Sequence, residues 1–157
     1  MTYSHSNIIR YRAYGFRAVS ARLYPALVRE PARALVDTIF NRNRELCLVD
    51  HLLSGKSKVH HVLVRVQDLA GKIHLFCIFF RNSTLLDTNN LIEAMVPGRT
   101  WTGDILAVRA AAKNNVDGVV HLCSNDDILI DFAVRSLVER MTRGLRLCIP
   151  VYPVFCM

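Results

Sequence analysis

Between Pro31 and Gly55 the apolar positions recur at helical spacing: Leu35, Val36, Ile39, Phe40, Leu46, Cys47, Val49 and Leu53. The spacing predicts a helix over about 31–54, with Pro31 suited to its first turn and Gly55 to its stop. Asn41 to Asn43 is its weak point, where it would divide in two. Next come two arms rich in β-branched and aromatic residues, Val59–Gln67 and Lys72–Arg81, separated by Asp68-Leu69-Ala70-Gly71. They predict a hairpin over about 59–81. Pairing Gln67 with Lys72 sets His60, Val62, Val64 and Val66 opposite Phe79, Cys77, Leu75 and Ile73 on an apolar face. His61, Leu63, Arg65 and Gln67 then share the mixed face with Ile78, Phe76, His74 and Lys72, and Arg65 neighbours His74.

A short helix is expected over 91–96, ended by Pro97-Gly98. Asp104–Ala111 and Gly118–Cys123 read as a second hairpin, about 104–123, around the polar turn Lys113 to Gly118. Ser124-Asn125-Asp126-Asp127 has the form of a capping box with Asp in place of Glu. It opens a helix over about 125–143 with a wide apolar stripe, Leu129, Ile130, Ala133, Val134, Leu137, Val138 and Met141. Asp131, Arg135 and Glu139 form a ladder on another face, and the acids at the start and arginines at the end suit the helix dipole. Pro150 and Pro153 confine the tail, Leu145–Phe155, to a sheet edge or a covering segment. Strands joined by short turns favour an antiparallel sheet packed by helices. The expected fold is therefore α+β, a single domain over 30–157 built from two hairpins, an N-terminal helix and a C-terminal helix.

Composition narrows the class. With 52% apolar and 21% charged residues in 157, the chain has the composition of a globular domain and not of a disordered one. Mean hydropathy is positive, which calls for a well-filled core or for apolar surface covered by a partner, a homo-oligomer among them. No run approaches the roughly 18 apolar residues of a membrane span. The five cysteines, Cys47, Cys77, Cys123, Cys148 and Cys156, are widely spaced without a C-x-x-C pair. They read as reduced thiols of an intracellular protein, cytoplasmic or nuclear.

Charge is where the chain points outward. Met1–Lys58 holds ten Lys/Arg against four Asp/Glu, and Val59–Met157 ten against nine. Before Glu30 there are five arginines and no acid. This marks residues 1–29 as a basic arm. Its composition also suits a mitochondrial presequence, but at about 100° per residue Arg10, Arg12, Arg17 and Arg22 do not share a helical face. The arginines alternate with Tyr11, Tyr14 and Phe16, an interleaving that suits phosphate contact by guanidinium and base stacking by rings. The expected nucleic-acid contacts are Arg10, Tyr11, Arg12, Tyr14, Phe16, Arg17 and Arg22. Arginine and tyrosine also enrich protein interfaces, so an acidic protein partner is the second expectation.

Catalytic signatures are few. There is no G-x-S-x-G elbow, phosphate loop or dinucleotide fingerprint, and neither a cofactor nor a metal is called for. The one enzymatic alternative uses His61, Arg65 and His74 on the mixed hairpin face. Of Asp126, Asp127 and Asp131, two sit where a helix N-terminus wants negative charge, and Asp104 is assigned to a turn. The leading expectation is a non-enzymatic binding module with a basic N-terminal arm.

Overall fold

A computed structural model describes residues 16–41, 44–111 and 119–143. Seven strands form one antiparallel sheet: β1 (Phe16–Tyr24), β2 (Ala32–Asn41), β3 (Arg44–Leu48), β4 (Val59–Gln67), β5 (Ile73–Arg81), β6 (Ile105–Ala110) and β7 (Val119–Val120). Their order is β3-β2-β1-β6-β5-β4, with β7 paired to β6 alongside. Two helices accompany the sheet, α1 (Asn90–Met95) and α2 (Asp127–Thr142). The α+β class and the antiparallel sheet are as expected.

The helix expected over 31–54 is not there. That segment is the β2–β3 hairpin, with Asn41 opposite Arg44, followed by a short 3-10 turn at Asp50–Leu52. Val36 and Thr38 point into the core, while Leu35 and Ile39 lie on the opposite face of the strand. Apolar residues on both faces hide the two-residue period and leave a spacing that imitates a helix. Phe16–Tyr24, placed in the basic arm by its charge, forms β1 between β2 and β6.

The hairpin of β4 and β5 lies where expected, one residue out of register. Gln67 pairs with Ile73, so His60 meets Phe80, Val62 meets Ile78, Val64 meets Phe76 and Val66 meets His74. Asp68 decides this. Its backbone N–H donates to Lys72 O at 2.9 Å, and its Oδ1 accepts the Ala70 and Lys72 N–H groups at 2.9 Å each. Residues 68–72 thus close a five-residue turn, with Gly71 at φ +82°. Strand β5 is buried along most of its length on both faces, so hydrophobicity alone does not select a register. Strands β6 and β7 pair antiparallel, Arg109 opposite Val120 and Ala110 opposite Val119, and the turn expected between them lies outside the described residues.

Each face of the sheet has its own core. On one face, Val62, Val64, Val66, Phe76, Ile78 and Phe80 pack against Leu91 and Ile92 of α1 and Ile130, Ala133, Val134, Leu137 and Val138 of α2. On the other, Val19, Ala21, Val36, Cys77, Phe79, Leu106 and Val108 meet one another. Among the described residues neither α1 nor α2 contributes to this second cluster, and the sheet covers that face by curling over it, with Val49 and Leu53 filling in. These two come from the connection that crosses from β3 at one end of the sheet to β4 at the other. Arg81 pins the crossing. It is 3% exposed and donates to Leu53 O at 3.3 Å, to Asp50 O and Oδ1 at 2.8 Å each, and to Ser57 O.

Asn89 caps α1. Its Oδ1 accepts the Ile92 N–H at 2.9 Å, while its amide donates to Tyr24 O and Gly103 O. Helix α2 is entered through a 3-10 turn, Ser124–Asp126, in place of the expected capping box. Asp126 accepts the Cys123 N–H at 2.8 Å, and Asp127 turns to arginines instead of the backbone. Among the described residues no helix is long and apolar enough to cross a membrane.

Candidate functional site

Of the seven arm residues expected to contact nucleic acid, Arg10, Tyr11, Arg12 and Tyr14 lie outside the described residues, as does the side chain of Phe16. Arg17 and Arg22 are described, and both meet carboxylates of the fold. Arg17 forms a two-pronged pair with Glu45, Nη2 to Oε1 at 2.5 Å and Nε to Oε2, and also donates to Val119 O. Glu45 is wholly buried. It further accepts Thr38 Oγ1–H at 2.5 Å and the Val119 N–H at 3.0 Å. Burial by itself pushes the Glu45 carboxyl up, but the bonds from Arg17, Thr38 and Val119 outweigh it and hold the group below its ordinary value.

Arg22 reaches α2. Its Nε and Nη2 donate to the Asp131 oxygens at 3.1 and 3.3 Å, and its Nη1 lies 3.3 Å from Asp127 Oδ2. Tyr24 is fully buried and donates its hydroxyl to Asp131 Oδ1 at 2.5 Å; burial, then the Asp131 charge, raise its pKa. Arg33 adds a bond to Asp127 Oδ1 at 2.9 Å. Strands β1 and β2 are thereby clamped to the first turns of α2.

The corrected register separates the enzymatic trio. His61 and Arg65 lie on the curled face, opposite Phe79 and Leu75, whereas His74 lies on the helix face opposite Val66. His74 is bonded from both sides. Asp68 Oδ2 is 2.9 Å from Nε2, and Arg109 Nη2 is 3.3 Å from Nδ1. Arginine can only donate, so Nδ1 accepts and Nε2 carries the proton that Asp68 accepts. Arg109 continues to Asp126 at 2.5 Å. The chain Asp68–His74–Arg109–Asp126 ties the hairpin turn to the start of α2. Arg65 takes no part in it.

The remaining acids are accounted for by the fold. Asp104, 7% exposed, accepts the Ala26 N–H at 2.8 Å and the Ser54 N–H at 2.9 Å. Among the described residues no three His, Cys, Asp or Glu side chains stand close enough to hold a metal ion. Cys47 and Cys123 are free thiols; burial, then the Glu45 charge, push Cys47 up to about 12.

Two surface features remain. The first is the edge at β4. Lys56, Lys58, Arg65 and Lys72 are exposed there with His60 and His61 half-buried between them, and no acid interrupts residues 51–67. Beside the start of β4 lies a cleft of about 260 Å³, lined by Phe80, Trp101 and Met141 with Asn82, Thr84 and Thr100. The second is a wider, more open cleft of about 730 Å³ between the β4–β5 turn and α2, rimmed by exposed Leu69, Ile128 and Phe132.

The small cleft escapes sequence reasoning because its wall comes from the end of β5, the segment before β6 and the end of α2. The only local signal is Trp101 set between two threonines. Compared with known proteins, the chain matches no family model, and neither a curated protein nor a solved structure matches it.

Proposed function

We propose that this protein is a non-enzymatic module that binds nucleic acid through its basic N-terminal segment and the exposed edge at β4. One observation carries the reading. The fold neutralises its interior arginines with its own acids, Arg17 with Glu45, Arg22 with Asp127 and Asp131, Arg81 with Asp50 and Arg109 with Asp126. Lys56, Lys58, Arg65 and Lys72 have no acid partner among the described residues. Positive charge left unpaired along one edge is an electrostatic footprint for phosphates.

Within this reading Arg17 and Arg22 hold β1 in the sheet. Phosphate contact passes to Arg10 and Arg12 and to the edge lysines and Arg65, with Tyr11, Tyr14 and Phe16 offering stacking. An intracellular location, cytoplasmic or nuclear, follows from such a partner. The test is fluorescence anisotropy with labelled mixed-sequence single-stranded RNA and DNA across a salt series. Six engaged cations give a slope of log K against log salt of about −4. Removing residues 1–14, or reversing charge with Lys58→Glu and Arg65→Glu, lowers affinity and flattens that slope. Salt-insensitive binding, or none at low salt, refutes the proposal.

The exposed Leu69, Ile128 and Phe132 around the wider cleft favour a second reading, a subunit of a homo-oligomer. Sizing by light scattering over a concentration series decides it: a monomer throughout removes that reading.

A further inference from the structure

The small cleft beside β4 has the features of a seat for a flat ring with polar edges. Its floor is aromatic: Phe80 and Trp101 meet edge to face at 5.4 Å, and His60 stacks on Phe80 at 5.8 Å. Its rim carries an amide and two hydroxyls, from Asn82, Thr84 and Thr100, which are exposed and bond to nothing else among the described residues. The Trp101 indole N–H is buried and meets no acceptor among the described residues. The volume, about 260 Å³, is below the range of drug-sized pockets and suits one small ring system. None of the lining side chains is an acid, so a cationic guest finds no countercharge here.

Cations flank the cleft by sequence and register. Lys58 precedes Val59, the partner of Arg81, and Arg99 precedes Thr100. An apolar aromatic floor, a neutral hydrogen-bonding rim and surrounding positive charge are the three requirements for holding one unstacked base of a phosphate-linked strand.

We propose that the cleft receives a single base of a single-stranded nucleic acid whose backbone follows the basic edge. This rests on the nucleic-acid reading above and assigns it a base-binding seat. The edge cations supply affinity that ignores sequence, and the rim reads the polar edge of the base.

The chain has one tryptophan, so its emission reports on this cleft alone. The full chain is titrated at low salt with a labelled single-stranded oligonucleotide and with an abasic oligomer of equal length and charge. Anisotropy follows binding and Trp101 emission follows the cleft. The base-bearing strand is expected to bind about tenfold tighter and to quench Trp101 saturably, and the abasic strand to bind without quenching. Because Trp101→Leu can fail to fold, the variant is Asn82→Ala with Thr100→Ala, both exposed. It loses about tenfold toward the base-bearing strand, retains its affinity for the abasic one, and unfolds at the wild-type urea midpoint. Equal binding of both strands with unchanged Trp101 emission overturns the seat and leaves the basic edge standing. Binding to neither strand overturns both.

Discussion

Replacing Glu45 by alanine is predicted to destabilise the protein by about 3–5 kcal/mol. The figure is built from what the carboxylate satisfies. The Val119 N–H, 1% exposed, loses its acceptor, at about 1–3 kcal/mol for a buried donor left unmet. The Thr38 hydroxyl loses little, because its one proton can turn to Arg17 O, 3.2 Å away. Arg17 loses a two-pronged partner, and breaking a fully buried ion pair costs about 3–5 kcal/mol. Its side chain is 27% exposed and also bonds to Val119 O, so part of that is recovered from water and about 2 kcal/mol is the appropriate share.

Urea unfolding at pH 7, followed through Trp101, measures the loss. With a urea slope of about 1–3 kcal/mol per molar, the midpoint falls by roughly 2 M. Glu45→Gln retains an acceptor oxygen without the charge and loses about half as much. The carboxyl also sets a pH dependence. Its folded-state value lies below the ordinary 4.5, so its contribution is complete above about pH 4.5 and is lost as pH falls through the lower folded value. Glu45→Gln removes that acid-side decline. An alanine variant within about 0.5 kcal/mol of wild type, or a glutamine variant as costly as alanine, refutes the reasoning.

Two further predictions concern stability. His61 has a buried Nε2 with no partner among the described residues, and burial, then the charges of His60 and Lys58, hold its pKa below 6.5. The folded state thus disfavours its protonation, stability is lost as pH falls from 6.5 toward the lower folded value, and His61→Leu, compared with wild type by urea midpoint, gains more at pH 5.5 than at pH 8; an equal gain at both refutes it. Gly55 has φ +113°, and an added Cβ would stand 2.5 Å from Leu86 Cδ2 and 3.2 Å from Arg81 Cδ, whose guanidinium is fixed by its bonds. Gly55→Ala is expected to cost about 2–4 kcal/mol, against about 1–2 for Gly98→Ala, where φ is +81° but nothing lies within 4 Å; equal costs by urea unfolding dispose of the steric argument.

What was legible in the sequence depends on how many faces an element buries. Helix α2 buries one stripe, with Phe132 and Arg135 exposed elsewhere on it, and its periodicity places it within two residues of its observed ends. The β4–β5 hairpin was legible in position but not in register, because β5 lies between two cores and has no polar face to mark it. Strand β2 misled for a related reason: Leu35, 43% exposed, sits on the outer face and fills the gap that alternation would have left. The site was less legible than the fold. The pairing of Arg17 with Glu45 follows from the β1–β2–β3 register, and Arg22 meets Asp131 across 109 residues, separations at which local pattern carries no signal.

The charge asymmetry therefore has two components. Part of the N-terminal excess is an interlock: Arg22 and Arg33 of β1 and β2 hold Asp127 and Asp131 of α2, so cations of the basic half neutralise acids of the near-neutral half. Those arginines cannot serve a phosphate without uncovering carboxylates that would repel it. The other part includes Lys56 and Lys58, which stand at the edge with Arg65 and Lys72 of the near-neutral half, without acid partners among the described residues, where a strand can approach with no such penalty. The two sets separate by measurement. Neutralising an interlock arginine lowers the unfolding midpoint at any salt concentration. Neutralising an edge cation leaves the midpoint alone and reduces the salt slope of binding by about 0.7 for each phosphate no longer neutralised.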